Sequence, residues 1–506
     1  MFEPILHAAW AGLGLVFSWP NILYPIIGTL LAMVFSFVPG LSGVTLMALA
    51  IPFTLAWEPL PIMLIFGAFV GGATFMGSVT SILFNIPGRP SSAATLLDGY
   101  PLACQGQART ALGCSAAASA LGSTFGIAVL IALLPFMRTF ILAFGPPEFL
   151  LLAVWGLTTL GVLTRGSAVK GLIGAGLGLL LAFIGYDGRT AELRYTWNLD
   201  YLRDGLSLAP VFLGLFALAE VLELSAAPRR TLTGPSRAGL LGGSAWAGVR
   251  AVFTHFGLFL RSSVIGTVVG MMPGVGASVA GFLAYGHAVQ TTRREPRFGQ
   301  GDLRGVLAPE AALDAKDGGA LVPTLAFGIP GGTGTAMLLA ALALHGLTPG
   351  PAMMTTHLDL VFVLIWSLFF SNWLTSLLGL AVVSPLTRLA ALRTQTLVPV
   401  ILGLSTLGAY LTRQRVADVL VAYLFGAVGY AMRRYGWPRV PLVIGLVLGS
   451  LFELNLHLTL RLHELGRIQL GHRPIALALV ALTALSLLLP FLLRARAAAA
   501  SRKEGL

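Results

Sequence analysis

The sequence predicts an all-α polytopic membrane protein of about 12 transmembrane helices, built as two internally repeated halves that contain Pro-Gly-broken or re-entrant helices. Three observations carry that expectation. Only 10% of the 506 residues are charged and 56% are hydrophobic, with a mean hydropathy of +0.85, whereas soluble domains are about a quarter charged. Apolar stretches of about 20 residues recur from end to end, the length that a hydrocarbon layer roughly 30 Å thick demands. Two of those stretches are also interrupted in the same way, by "LFNIPGRPSS" at 83–92 and "AFGIPGGTGT" at 326–335.

In chain order the predicted spans are 20–38, 60–84, 110–136, 139–163, 168–186, 205–225, 246–271, 319–345, 356–386, 397–411, 416–432, 438–456 and 474–493. Shorter apolar pieces at 41–55 and 274–289 follow Pro-Gly pairs and read as half-helices or re-entrant segments. The start, "MFEPILHAAWAG", lacks a basic first region and runs into further spans, so it does not read as a secretory signal peptide. Two stretches read as aqueous: 187–204, and 290–318, the longest polar segment. The halves are expected at 1–225 and 246–456, joined by a loop at 226–245 and followed by a C-terminal span and basic tail at 457–506.

The net charge of +12 does not indicate nucleic-acid binding. The arginines sit in short connections, at Arg229 and Arg230, around Arg293 to Arg297, and at Arg433, Arg434, Arg494 and Arg496. Positive charge placed there resists translocation and marks cytoplasmic loops. Cys104 and Cys114 match no metal-ligand spacing and read as structural thiols. No HExxH, GxSxG or P-loop pattern occurs, so the sequence predicts no enzyme, no catalytic residue, no bound metal and no cofactor.

The functional candidates lie at the interruptions. Proline removes an amide donor and breaks the helix, and glycine lets the chain turn sharply. Backbone freed in this way is tolerated inside a membrane only where protein buries it or where it lines a wet cavity. The order Pro-Gly then Ile-Pro-Gly occurs twice. The first set offers Pro39, Gly40 and Ser42, then Asn85, Pro87, Gly88, Arg89, Ser91, Ser92 and Thr95. The second offers Pro273, Gly274, Gly276 and Ser278, then Gly328, Pro330, Gly331, Thr333 and Thr335. Paired broken helices in two halves point to a transporter's substrate site, and restarting helix ends that present amides suit an anion. The hydroxyls serve equally as helix caps. Arg89 suits either a substrate carboxylate or a gating salt bridge.

Carboxylates in or beside apolar runs are costly and are candidates for ion coupling: Glu148, Glu220 and Glu310, with Asp98 in "LLDGYP". Each has a structural alternative, tying helices together or closing a helix-end turn. A passive channel is the weaker reading, because duplicated broken helices suit alternating access better than an open pore.

The stretches "FVPGLSG", "SILFNIPGRPSSAATLLDGYPLACQGQARTAL" (81–112), "IGTVVGMMPGVGA" (265–277), "FGQGDLRGVLAPEAA" (298–312) and "GALVPTLAFGIPGGTGTAMLLAALALHGLTPGP" (319–351) resemble the large membrane subunit of tripartite tricarboxylate transporters, the TctA-like family. The resemblance runs from about residue 20 to residue 450. It implies a secondary transporter subunit of the bacterial inner membrane that imports small carboxylates on a proton or sodium gradient. It also implies two partners, a small TctB-like membrane subunit and a periplasmic TctC-like solute-binding protein. The chain departs from the family pattern at Phe75, Met76 and Gly77, at Leu313 and Asp314, and at Arg89, where the family often has threonine. These departures leave room for a carrier of another small organic anion or metabolite.

Overall fold

Apolar runs fold as helices because hydrocarbon offers the backbone amides no partner except one another. The computed structural model describes residues 3–38, 41–163, 167–187, 192–226, 242–274, 276–292, 297–390, 394–467 and 470–488. Apart from turns and one hairpin, in which Gly185–Tyr186 pairs antiparallel with Leu193–Arg194, the described residues are helical.

The helices of the first part are α1 (Glu3–Phe17), α2 (Leu23–Phe37), α3 (Gly43–Thr54), α4 (Pro59–Gly72), α5 (Thr74–Phe84), α6 (Ala93–Cys104), α7 (Ala108–Ile141), α8 (Pro146–Leu163), α9 (Ala168–Ala182) and α10 (Leu208–Ala226), the last with a π-helical stretch at Leu213–Leu218. Those of the second are α11 (Ala245–Thr254), α12 (Phe256–Met271), α13 (Gly276–Thr291), α14 (Leu303–Phe327), α15 (Thr333–Leu344), α16 (Leu358–Ala390), α17 (Thr394–Arg413), α18 (Val416–Arg434), α19 (Arg439–Glu464) and α20 (Pro474–Leu488). Six helical stretches among the described residues are long and apolar enough to cross a membrane, or seven with the bent pair α11–α12.

Two sequence expectations need correction. Residues 303–318 are not aqueous: they form most of α14, which is buried without interruption from Gly305 to Leu321. Hydropathy misses this helix because Glu310, Asp314, Lys316 and Asp317 are internally partnered. The span expected at 246–271 is two helices bent by 81° at His255. Ahead of the first expected span, α1 packs on α16 through Gly12 against Phe362 and a bond from Trp366 Nε1 to the Ala9 carbonyl (2.9 Å), a helix on which the sequence reading is silent.

Small residues let the helices approach closely, and their pairings fix direction. Gly122 meets Ala311 and Gly126 meets Ala315, so α7 and α14 run the same way. Gly266 against Ala312 and Gly270 against Lys316 and Ala320 give α12 that direction too. Thr74 bonds Asp317 and Ser78 bonds Glu310, so α4–α5 runs opposite to α14. Gly67 against Leu364 and Gly71 against Leu368 align α16 with α4.

If α14 rises from a lower to an upper face, α4–α5 descends, breaks after Phe84, and α6 continues down. Its foot is tied by Gln105 Nε2 to the Gln300 carbonyl just before α14 (2.7 Å). The ascending α14 breaks after Phe327. Beyond the break, α15 packs on α19, and His345 at its end lies 2.8 Å from the Thr54 carbonyl through Nε2. The two shorter helix pairs hang from opposite faces. α2 descends beside α4, with Gly28 on Ala68 and Gly72 on Ala32, and α3 returns to the upper face. α12 ascends beside α14, and α13 returns beside α6, with Gly281 near Ser91 and Tyr285 bonded to Asp98.

Candidate functional site

At the first break the helix ends on Asn85, which takes the left-handed conformation (φ 55°). Gly88 then folds back on α5, its amide donating to the Gly77 carbonyl (3.3 Å). A Cβ on Gly88 would lie 2.7 Å from the Gly77 Cα, so only glycine fits without a backbone shift. Ser92 caps the restart: its Oγ accepts from the Arg89 amide (3.3 Å) and donates to the Arg89 carbonyl (2.9 Å). The Arg89 guanidinium bonds Ser91 Oγ through Nε (3.2 Å) and Thr74 Oγ1 through Nη1 (3.3 Å), and makes no ion pair with a described residue. Asn85, Pro87 and Pro90 are exposed, Arg89 is half-buried, and Ser91, Ser92 and Thr95 are buried.

The second break repeats this backbone path. Gly328 takes the left-handed position (φ 70°). Thr335 Oγ1 accepts from the Gly332 amide (3.1 Å) and donates to its carbonyl (3.1 Å), as Ser92 does for Arg89. Gly331 presses on the Gly270 carbonyl and Ala320, where a Cβ would lie 2.6 Å and 2.7 Å away. Pro330 is buried and Thr333 is exposed, with no side chain in the place of Arg89.

Between the breaks stands the middle of α14. Glu310 accepts hydrogen bonds from Ser78 (2.7 Å), Ser115 (2.7 Å) and Thr95. A buried carboxylate needs such partners, since an uncompensated one costs several kcal/mol. Asp317 pairs with Lys316 and accepts from Thr74 Oγ1 (3.4 Å), which links it through Thr74 to Arg89. Asp314 accepts from Asn372 Nδ2 (2.7 Å), and Asn372 also reaches the Gly71 carbonyl (3.4 Å). The chain Arg89–Thr74–Asp317 thus ends one helical turn from Ala320, where Gly331 sits.

The other candidates fall elsewhere. Ser42 caps α3 through the Thr45 amide (3.2 Å), and Thr45 in turn bonds Glu220, tying α3 to α10. Pro39 and Gly40 lie outside the described residues. Pro273 is buried; Gly274 (φ 80°) presses on Leu160, Gly276 (φ 75°) has open space around it, and Ser278 is half-buried. Glu148 receives the Gly145 amide (2.9 Å) and Arg473 (2.6 Å), which fastens α8 to the start of α20. Asp98 accepts the amides of Gly299 (2.8 Å), Gly301 (2.9 Å) and Asp302 (2.9 Å) and the Tyr285 hydroxyl (2.9 Å), so its carboxylate fastens the loop at the foot of α14. In that loop burial works to raise the Asp302 carboxyl, but bonds from Arg304 outweigh it and hold the group below its ordinary value.

A cavity of about 740 Å³ opens at the upper ends of α9 and α19. Asp187, Glu453 and His457 bring ligand atoms within 4.8 Å of one another there, yet Arg194 already bridges Glu453 (2.6 Å) and Asp187 (3.4 Å). Sequence reasoning missed Lys316, Asp317 and Asn372 and gave Asp314 no site role. The available signal was two buried hydroxyl rows at helical spacing, Ser115, Ser119 and Ser123 on α7 and Ser367, Ser371 and Thr375 on α16.

Comparison with known proteins adds three findings. The family described as "Tripartite tricarboxylate transporter TctA family" matches residues 22–444. An "Uncharacterized 52.8 kDa protein in TAR-I ttuC' 3'region" of Agrobacterium vitis is 30% identical over 465 residues, covering 91% of each chain. An "Uncharacterized protein in TAR-II ttuC' 3'region" of the same organism is 29% identical over 227 residues, covering 45% of this chain and 94% of its own. No solved structure matches.

Proposed function

The chain belongs to the tripartite tricarboxylate transporter TctA family, and on that premise we propose that it is the large membrane subunit of an ion-gradient-driven carrier importing a small carboxylate. The membrane is the bacterial inner membrane. The partners are a small TctB-like membrane subunit and a periplasmic TctC-like binding protein that delivers the solute.

The observation that carries this reading is Arg89. It stands at a broken helix, half-buried, held by two hydroxyls and making no ion pair with a described residue. A guanidinium so placed keeps part of its fork for a planar carboxylate, and the dipole of the restarting helix adds to the attraction.

The architecture we infer is a pair of inverted halves. α2–α3 and α12–α13 are hairpins from opposite faces; α4–α5 with α6, and α14 with α15, are broken spans of opposite direction. Five crossings separate the corresponding points, namely α4–α6, α7, α8, α9 and α10. An odd count inverts the second half, and the whole comes to about a dozen crossings. Inverted repeats around a midplane site are the arrangement that alternating access exploits. The arginine-bearing lower loops are cytoplasmic on this reading.

Uptake by bacterial cells expressing the chain with its two partner genes tests the proposal. A radiolabelled di- or tricarboxylate should accumulate above its external concentration, collapse when the ion gradient is dissipated, and be lost in Arg89→Gln. Equilibration without accumulation, or wild-type uptake by Arg89→Gln, removes it.

A further inference from the structure

Where α7, α14 and α16 meet, the buried polar atoms do not balance. Asp314 is fully buried and Asn372 is 2% exposed. Their one mutual bond uses Asn372 Nδ2 and Asp314 Oδ1, and leaves Asp314 Oδ2 and Asn372 Oδ1, both acceptors, with no hydrogen-bond partner among the described residues. The Ser119 hydroxyl lies toward Asp314 without a bond of ordinary geometry. Ser123, one turn along α7, and Ser371 and Thr375 beside Asn372 on α16 also have no partner there. Buried polar groups are almost always satisfied by protein, water or an ion, so a cluster of exceptions around a carboxylate is a candidate binding site.

The charges around the cluster identify the ligand's class. Glu310, Asp314 and Asp317 are the three carboxyl groups of this stretch of α14. Asp317 is neutralised by Lys316, and Glu310 is filled by three hydroxyl donors. The carboxylate oxygen left with neither a donor nor a cation is therefore on Asp314. An anion is repelled, and a divalent ion would overshoot. A single proton would join Asp314 Oδ2 to Asn372 Oδ1 and leave the row of hydroxyl oxygens unused, whereas a hard cation takes carboxylate, amide and hydroxyl oxygens together.

We propose that Asp314, Asn372 and Ser119 hold a small monovalent cation of the sodium class at the crossing of α7, α14 and α16. Its position fits a coupling role, because Asp314 lies one turn from both Glu310, which holds α5 and α6 at the first break, and Asp317, which leads to Arg89. That role rests on the transport reading above; the binding site itself does not.

The test is the thermal unfolding of the purified full-length protein in detergent, with sodium chloride exchanged for choline chloride at fixed ionic strength and pH. Binding to the folded state alone raises the midpoint along a saturating curve. Sodium should give such a curve, with its half-saturating concentration raised at least about tenfold in Asp314→Asn and in Asn372→Ala. If either variant does not fold, Ser119→Ala keeps the Asn372–Asp314 bond and should still weaken sodium at least about threefold. Equal midpoints in sodium and choline, or unchanged half-saturation in the variants that fold, overturn the site. So does a midpoint that follows pH and ignores sodium. Loss of carboxylate uptake with intact sodium stabilisation would remove the transport reading alone.

Discussion

The two broken helices share a backbone and differ in chemistry. Asn85 and Gly328 both take the left-handed turn, and Ser92 and Thr335 both close the restart with the same pair of bonds. Beyond that frame they diverge. The first break carries Arg89, and Thr95 beside it reaches Glu310; the second carries Gly332, with open space around its Cα and an exposed Thr333. A local geometry can thus recur while charge is placed on one copy only. The backbone frame sets where a helix can stop and start inside a membrane, and the side chains decide which stop carries a charge.

The shared part of this comparison is broken most severely by removing the glycines. Gly88→Val and Gly331→Val each push a side chain into backbone less than 3 Å away. Both should cost about 1–3 kcal/mol of stability, measured as a lowered thermal midpoint in detergent. A large loss at one break and none at the other would show that the frames are not equivalent.

The divergent part is sharpened at the next position. Arg89→Gln should reduce carboxylate uptake by at least about tenfold, the order of one charge-assisted bond, while membrane insertion and folding yield stay at the wild-type level. Gly332→Ala, which has extended backbone and meets nothing within 4 Å, should leave uptake and stability unchanged. Equal effects at the two positions would abolish the asymmetry.

The smallest loss concerns the caps. Ser92→Ala and Thr335→Ala should each destabilise by about 1 kcal/mol, again read from thermal unfolding. Ser92 also receives a bond from Ser81 Oγ (2.9 Å), so its loss should be slightly the larger.

The breaks themselves were legible in the sequence, because Pro-Gly acts on its own backbone wherever it stands. So were the helical class and most of the elements: the piece expected at 41–55 is α3, and that at 274–289 is α13. The sequence says least where a residue's meaning depends on partners far along the chain. Glu148 and Glu220 read alike there, as coupling groups or as ties between helices, and only the fold gives Glu148 its Arg473 and Glu220 its Thr45. The polar stretch at 290–318 looked aqueous, and its residues from Gly305 onward are buried in α14.

What the amino-acid sequence determined alone is a lipid-embedded bundle of helices interrupted at fixed places, since hydropathy and proline chemistry add up locally. What only the tertiary structure decided is which charges can stay buried. Glu310 is held by Ser78, Thr95 and Ser115, residues 195 to 232 positions away, and Asp317 meets Thr74 across 243 positions. A carboxylate's cost in a medium of low dielectric is set by the donors packed around it, and that packing exists only once the helices have come together.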